Sequence, residues 1–210
     1  MIELNELEQD ALTEIFNIGV GVAADALYQM VGEQVPLSVP VVELTSHHRA
    51  RERHMASGAG LVNAIRQTYS GEFSTEAVLM FSQESSEALV RMMVGNDMPK
   101  EQLAEVTSDA LAELGNIILN AVMSGLASSL SMRLEGSLPE VSVVDPEDIF
   151  VQHVGHAGAA TGTNSAMPVL ALMIDFELSA LRAQGYLAFL LDTVSTEKLI
   201  SRLTSYVNAS

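Results

Sequence analysis

Four residues at fixed spacing, D-x3-E-x2-N-x22-P, occur twice in this chain. Asp10, Glu14, Asn17 and Pro40 form the first set, and Asp109, Glu113, Asn116 and Pro139 form the second, ninety-nine residues further on. At average residue frequencies one such pattern arises by chance in roughly one chain of this length in a few hundred. Two at a single offset therefore point to a duplicated structural unit, and a duplicated unit confines the chain to folds built from two equivalent halves.

On a helix of 3.6 residues per turn, positions i, i+4 and i+7 share one face, so Asp10, Glu14 and Asn17 form a polar stripe. The apolar residues Leu12, Ile15, Gly19, Val22 and Ala26, with Ala23 and Met30 beside them, predict a different, buried face. In the second copy Leu111, Leu114, Ile118, Val122 and Leu126 stand opposite Asp109, Glu113 and Asn116. Each half thus offers solvent a carboxylate and a carboxamide one turn apart.

The rest of each half follows the same order. Asn5 with Glu8 reads as an N-cap and its reciprocal partner, and Gly32 as a stop, which predicts a helix from about 6 to 31. Pro36 and Pro40 bracket an extended piece, Val35 to Leu44, whose prolines confine it to a sheet edge or a strand start. Leu61 to Tyr69 and Phe73 to Phe81, about Ser70-Gly71, predict a hairpin. Ser85 and Ser86 are candidate N-caps for a helix ending near Gly95, and Asn96, Asp97 and Pro99 mark a turn.

In the second half the motif helix is expected over about 107–132 and an extended piece over Val141 to Val144. A hairpin follows from Pro168 to Leu178 and Leu181 to Leu191, then a helix from Ser195 to Tyr206. Phe81, Ser85, Glu87 and Leu89 are echoed by Leu191, Ser195, Glu197 and Leu199 at an offset of 110. The eleven extra residues are assigned to the Gly/Ala/Thr-rich stretch Gly155 to Asn164.

The expectation is a single α/β (α+β) domain of two repeats, about 1–98 and 99–210, related by a pseudo-twofold. A largely antiparallel sheet is shared by both, with two long motif helices packed side by side on it. Gly19, Gly21, Ala23 and Ala24 in one helix, and Ser124, Gly125, Ala127 and Ser128 in the other, are small enough for close contact. Glycine inside a helix costs about 1 kcal/mol relative to alanine, which calls for a packing reason.

Composition narrows the chemistry. The chain has 210 residues, 48% of them apolar, enough for a substantial core. With no cysteine there is no disulfide scaffold, zinc-thiolate site or thiol nucleophile, as suits a reducing cytoplasm. A net charge of −17 argues against nucleic acid, which needs a basic surface, and suits solubility or a basic protein partner. The N-terminal residues lack a basic n-region and an apolar h-region, so no signal peptide is expected. Leu114 to Met132 and His153 to Ile174 carry no Asp, Glu, Lys or Arg, but the first holds Asn116, Asn120 and several serines and the second is rich in Gly, Thr and His, so neither reads as a membrane span.

Two histidine-bearing stretches remain. His47 to His54 reads as a solvated loop or as a basic handle for an acidic partner, with metal binding a poor third. His153 and His156 stand at i, i+3 but beside glycines, which favours a loop over a metal pair.

The doubled motif resembles that of the CheC, CheX and FliY family of bacterial chemotaxis phosphatases, and two copies in one chain are most similar to its CheC-like members. The resemblance covers nearly the whole chain. It implies dephosphorylation of the phospho-aspartate of a CheY-like response regulator. Glu14 and Glu113 would pair with a lysine on the regulator, and Asn17 and Asn116 would orient a water for in-line attack. Asp10 and Asp109 would be helix-terminus or supporting residues rather than reactive ones, and Pro40 and Pro139 structural supports. The magnesium would belong to the regulator, leaving this chain with no cofactor or metal of its own.

A carboxamide is no base near neutral pH, but its oxygen accepts and its NH2 donates, which suits holding a water. Phosphoryl transfer asks mainly for positioning and charge stabilisation. Both motifs in one chain make a self-sufficient cytoplasmic monomer reasonable. The competing expectations are a non-catalytic partner of the receptor deamidase CheD and a flagellar switch-associated binding protein.

Overall fold

A computed structural model describes residues 4–46, 48–50, 52, 60–152, 168–177 and 182–209. Helix α1 (Glu6–Val31) is followed by β1 (Leu37–Ser46), the hairpin β2 (Val62–Gly71) and β3 (Thr75–Ser82), and α2 (Gln83–Val94). The order then recurs as α3 (Lys100–Ser129), β4 (Leu134–Gly136), β5 (Glu140–Val144), α4 (Pro146–Gln152), the hairpin β6 (Pro168–Glu177) and β7 (Arg182–Leu191), and α5 (Thr193–Ala209). The glycine/threonine-rich stretch and the pair His153 and His156 lie outside the described residues. So does part of the 47–54 run, in which His48 to Ala50 and Glu52 are helical and Glu52 lies 3.4 Å from His48 Nδ1.

All seven strands form one antiparallel sheet in the order β1-β6-β7-β3-β2-β4, with β5 also paired to β2. The halves interlock. Strand β1 of the first half pairs with β6 of the second, β5 of the second pairs with β2 of the first, and β3 and β7 join at the centre. As the prolines require, β1 occupies the edge of the sheet.

The start of α1 follows local chemistry. Glu8 N–H donates to Asn5 Oδ1 at 3.0 Å and Asn5 N–H donates to Glu8 Oε2 at 3.0 Å, satisfying two orphan donors at once. Thr204 of α5 adds a 2.6 Å hydrogen bond to the other Glu8 oxygen, so the cap is also a tertiary contact. Gly32 ends the helix with φ 77°, a conformation that disfavours a Cβ.

Several boundaries differ from the sequence expectation. Helix α3 begins seven residues early, at Lys100 behind Pro99, because the turn at Asn96 to Pro99 delivers the chain straight into it. The cap of α2 is Ser82, whose side chain accepts from Ser85 N–H at 3.1 Å, and the cap at the start of α5 is Asp192, which accepts from Ser195 N–H at 2.6 Å. Ser85 and Ser86 are inside α2, where Ser86 is buried and accepts from Asn63 at 2.8 Å. Ser70 and Gly71 belong to β2 because Leu134 and Glu135 pair with them; the turn lies between Gly71 and Thr75.

The buried face of α1 is Leu12, Ile15, Phe16, Gly19, Val20, Ala23 and Leu27, rotated from the expected one. Val22 is 57% and Ile18 54% exposed. In α3 the expected set Leu111, Leu114, Ile118, Val122 and Leu126 is buried throughout. Both helices are long and apolar enough to cross a membrane by length and composition, but their apolar faces are packed into the core they share with the sheet.

The motif helices cross at glycine. A Cβ on Gly19 would stand 2.9 Å from Val122 Cα, and one on Gly125 would stand 3.2 Å from Gly19 Cα and 3.6 Å from Ile15 O. These pairings run in opposite directions, so the helices are antiparallel. Gly21, by contrast, faces open space, and Ser124 and Ser128 are exposed. At the position equivalent to Phe16, which stacks on Phe189 at 5.9 Å, stands Gly115, where a Cβ would collide with Ile65 of β2.

Candidate functional site

The structure places Glu14 and Glu113 on the exposed faces of α1 and α3, with Asn17 and Asn116 half-buried one turn on. Neither glutamate makes a hydrogen bond or ion pair with another described residue, and both are exposed. Asp10 and Asp109 are exposed as well. Asp109 lies in the third turn of α3 rather than at its start, because the helix extends back to Lys100, and so it is not a helix-terminus residue.

The two asparagines are held in different ways. Asn17 Nδ2 donates to Thr13 O at 2.8 Å and to Val39 O at 3.3 Å, while Val39 N–H donates to Asn17 Oδ1 at 2.9 Å. Val39 sits where the β1–β6 register slips between Ser38 and Val41, so β1 carries Val39 and Pro40 opposite the single residue Ile174. A bulge of this kind leaves backbone groups without a ladder partner. The Asn17 carboxamide supplies one, and Pro40 has no N–H to satisfy. Gln9 adds a second tie from α1 to β1, donating to Val42 O at 2.9 Å. In this copy the N-x22-P spacing thus has a structural reason.

In the second copy the same spacing leads elsewhere. Leu138, the counterpart of Val39, is 85% exposed, and the segment is bound to β2: Ser137 N–H donates to Thr68 O at 2.8 Å and Thr68 N–H to Ser137 Oγ at 3.1 Å. Asn116 Oδ1 accepts instead from Asn120 Nδ2 at 2.7 Å. Asn120 Oδ1 in turn accepts from Gln67 Nε2 at 3.2 Å and faces the Tyr69 hydroxyl at 3.1 Å. Gln67 Nε2 also donates to Ser137 O at 2.6 Å, and its Oε1 accepts from the Tyr69 hydroxyl at 2.9 Å. The Asn116 NH2 has no partner among the described residues.

This network is closed to water on its inner side. Gln67 and Tyr69 are buried, and burial pushes the Tyr69 phenol well above its ordinary pKa of 10.0, so it stays a neutral donor. Strand β4 reaches it bare: a Cβ on Gly136 would lie 2.8 Å from Tyr69 Cε1 and 3.0 Å from Gln67 Nε2. Asn120, Gln67 and Tyr69 were not expected from the motif. Their one signal was an asparagine four residues beyond Asn116, inside an otherwise apolar run.

Among the described residues no group of three or more His, Asp or Glu side chains is placed to hold a metal ion. What the site offers is an exposed carboxylate beside a carboxamide on a rigid helix.

Fold and site together define a chemotaxis-phosphatase-type domain. The family model for the chemotaxis phosphatase CheX matches residues 64–158. The CheY-P phosphatase CheC of Bacillus subtilis is 31% identical over 144 residues, which cover 67% of this chain and 68% of that relative. The flagellar motor switch phosphatase FliY of the same organism is 25% identical over 145 residues, or 68% of this chain and 37% of FliY. Among solved structures, Thermotoga maritima FliY superposes with a TM-score of 0.75 at 20% identity, covering 98% of this chain and all of that one. The FliM middle domain of H. pylori shares the fold at a TM-score of 0.60 and 9% identity, covering 95% and 99% of the two chains. The chain belongs to the CheC, CheX and FliY chemotaxis phosphatase family.

Proposed function

We propose that this protein hydrolyses the phospho-aspartate of a CheY-like response regulator in the cytoplasm. Its membership of a chemotaxis phosphatase family supports this, as does the name of its relative CheC, a CheY-P phosphatase. The observation that carries the reading to particular atoms is the Asn116 NH2, unpartnered among the described residues, one turn from the free carboxylate of Glu113.

Glu113, and Glu14 in the first copy, dock the regulator by pairing with a lysine. Asn116 holds the attacking water: its NH2 donates to the water oxygen, and its Oδ1 keeps a second lone pair for a water hydrogen. The water oxygen bonds to phosphorus as the phosphorus–oxygen bond to the aspartate breaks, restoring the carboxylate and releasing inorganic phosphate. The acceleration comes from placing the water in line. Magnesium arrives with the regulator. The two repeats act as one domain in a single chain, with Asn17 a second site that opens only when its bonds to Val39 and Thr13 break.

The test is phosphate release from a phosphorylated CheY-like receiver with magnesium, for the native chain, Asn17→Ala, Asn116→Ala and the double variant. Faster release with the native chain and loss in the double variant support the reading. If the native chain leaves its cognate receiver phosphorylated, the chain is a binding module instead, for CheD or for a flagellar switch component.

A further inference from the structure

We propose that Asn120 is a positioning residue for the second site, and that it fixes which end of the Asn116 carboxamide faces the partner; this rests on the phosphatase reading above. The inference follows from the direction of each hydrogen bond. A backbone carbonyl only accepts, so Ser137 O requires the NH2 of Gln67 at 2.6 Å. The same NH2 then donates its other hydrogen to Asn120, which must present Oδ1. Asn120 is thereby left with its NH2 toward Asn116, and Asn116 must answer with Oδ1, at 2.7 Å. One carbonyl of the main chain so dictates, through two amides, that Asn116 keeps its NH2 for the reaction.

The Tyr69 hydroxyl reinforces that sense. Its single O–H faces Gln67 Oε1 at 2.9 Å and Asn120 Oδ1 at 3.1 Å, two acceptors in the orientation that the Ser137 carbonyl sets. The first copy lacks this side-chain relay: Gly21 stands where Asn120 does, ninety-nine residues earlier, and Asn17 is oriented instead by the backbone of Val39 and Thr13. Fixing an amide in this way removes a competing arrangement in which the carboxamide turns over and presents its oxygen alone. Asn120 touches no reacting atom and acts only through Asn116.

The experiment measures kcat and KM for phosphate release from a phosphorylated CheY-like receiver, in an Asn17→Ala background that isolates the second site. Asn120→Ala and the isosteric Asn120→Asp are compared. Asp keeps an acceptor toward Gln67 but presents a second oxygen to Asn116, which turns its NH2 inward. Both variants are expected to lower kcat about tenfold with KM changed less than about twofold, with the chain still folded at the assay temperature. A residue that merely packs would tolerate Asp, so an Asn120→Asp kcat within about twofold of the background overturns the inference. So does an inactive Asn17→Ala background beside an active native chain, which would leave the phosphatase reading standing. An inactive native chain overturns both.

Discussion

Asn17 grips Val39 from both sides: the N–H of Val39 donates to Oδ1 at 2.9 Å, and Nδ2 returns a bond to the Val39 carbonyl at 3.3 Å. A side chain that completes a strand bulge is tied to the stability of the sheet edge. Its counterpart Asn116 completes nothing in the backbone and is held by another side chain. The two copies of one motif are thus held by different kinds of contact.

Asn17→Ala is expected to destabilise the fold by about 1–3 kcal/mol, because the backbone groups of Val39 lose their partner. It is also expected to retain most of the phosphatase activity. Urea unfolding beside a phosphate-release assay checks both; an Asn17→Ala chain of native stability would show that the bulge does not depend on this carboxamide.

Asn116→Ala is expected to reverse the balance. It removes the NH2 that is available for water and should cut activity by about a hundredfold, while unfolding shifts by less than about 1 kcal/mol. Equal losses in the two single variants would mean that Asn17 readily leaves Val39.

Glycines two residues apart should respond with opposite signs. Gly19→Ala forces a Cβ to 2.9 Å from Val122 Cα and 3.2 Å from Ala121 O, both backbone. Overpacking of about 1–3 kcal/mol outweighs the roughly 1 kcal/mol gained in helix propensity. Gly21→Ala meets open space and should stabilise by up to about 1 kcal/mol. Thermal midpoints of the two variants measured side by side decide the matter, and the same sign for both would refute the helix crossing described here.

Tyr69 adds a dependence on alkaline pH. Its pKa is raised in the folded state by burial, so the stability it contributes is complete below its ordinary value of 10.0 and is lost as pH rises through the raised value. Unfolding free energy should therefore fall more steeply above about pH 10 in the native chain than in Tyr69→Phe. The variant should start about 1 kcal/mol lower, for want of the hydroxyl bond to Gln67. Parallel pH profiles would show that the phenol titrates freely.

Much of this was written locally in the chain. The capping pair Asn5 and Glu8, the stop at Gly32 and the prolines of β1 act over a few residues, so α1 and the edge position of β1 could be read directly. The face of α1 could not. Leu12, Ile15, Gly19 and Val22 make as regular a stripe as Leu12, Phe16, Gly19 and Ala23, and only contact with the sheet decides between them. The candidate site could be proposed from four residue types at a repeated spacing, whose roles rest on the family resemblance. The difference between its copies was not, because Val39 reaches Asn17 through a bulge and Gln67 reaches Asn120 through the pairing of β2 with Gly136, contacts set by tertiary structure.

The interlocked strands also order events on the ribosome. The β2–β3 hairpin is synthesised early, yet one edge of β3 has no neighbour until β7 emerges, with Thr75 waiting for Leu191. For about half of translation the nascent chain therefore carries an open, largely apolar strand edge, the kind of surface that invites pairing with other chains. Chaperone dependence and sensitivity to translation speed should accordingly concentrate in the interval before the last hairpin is released.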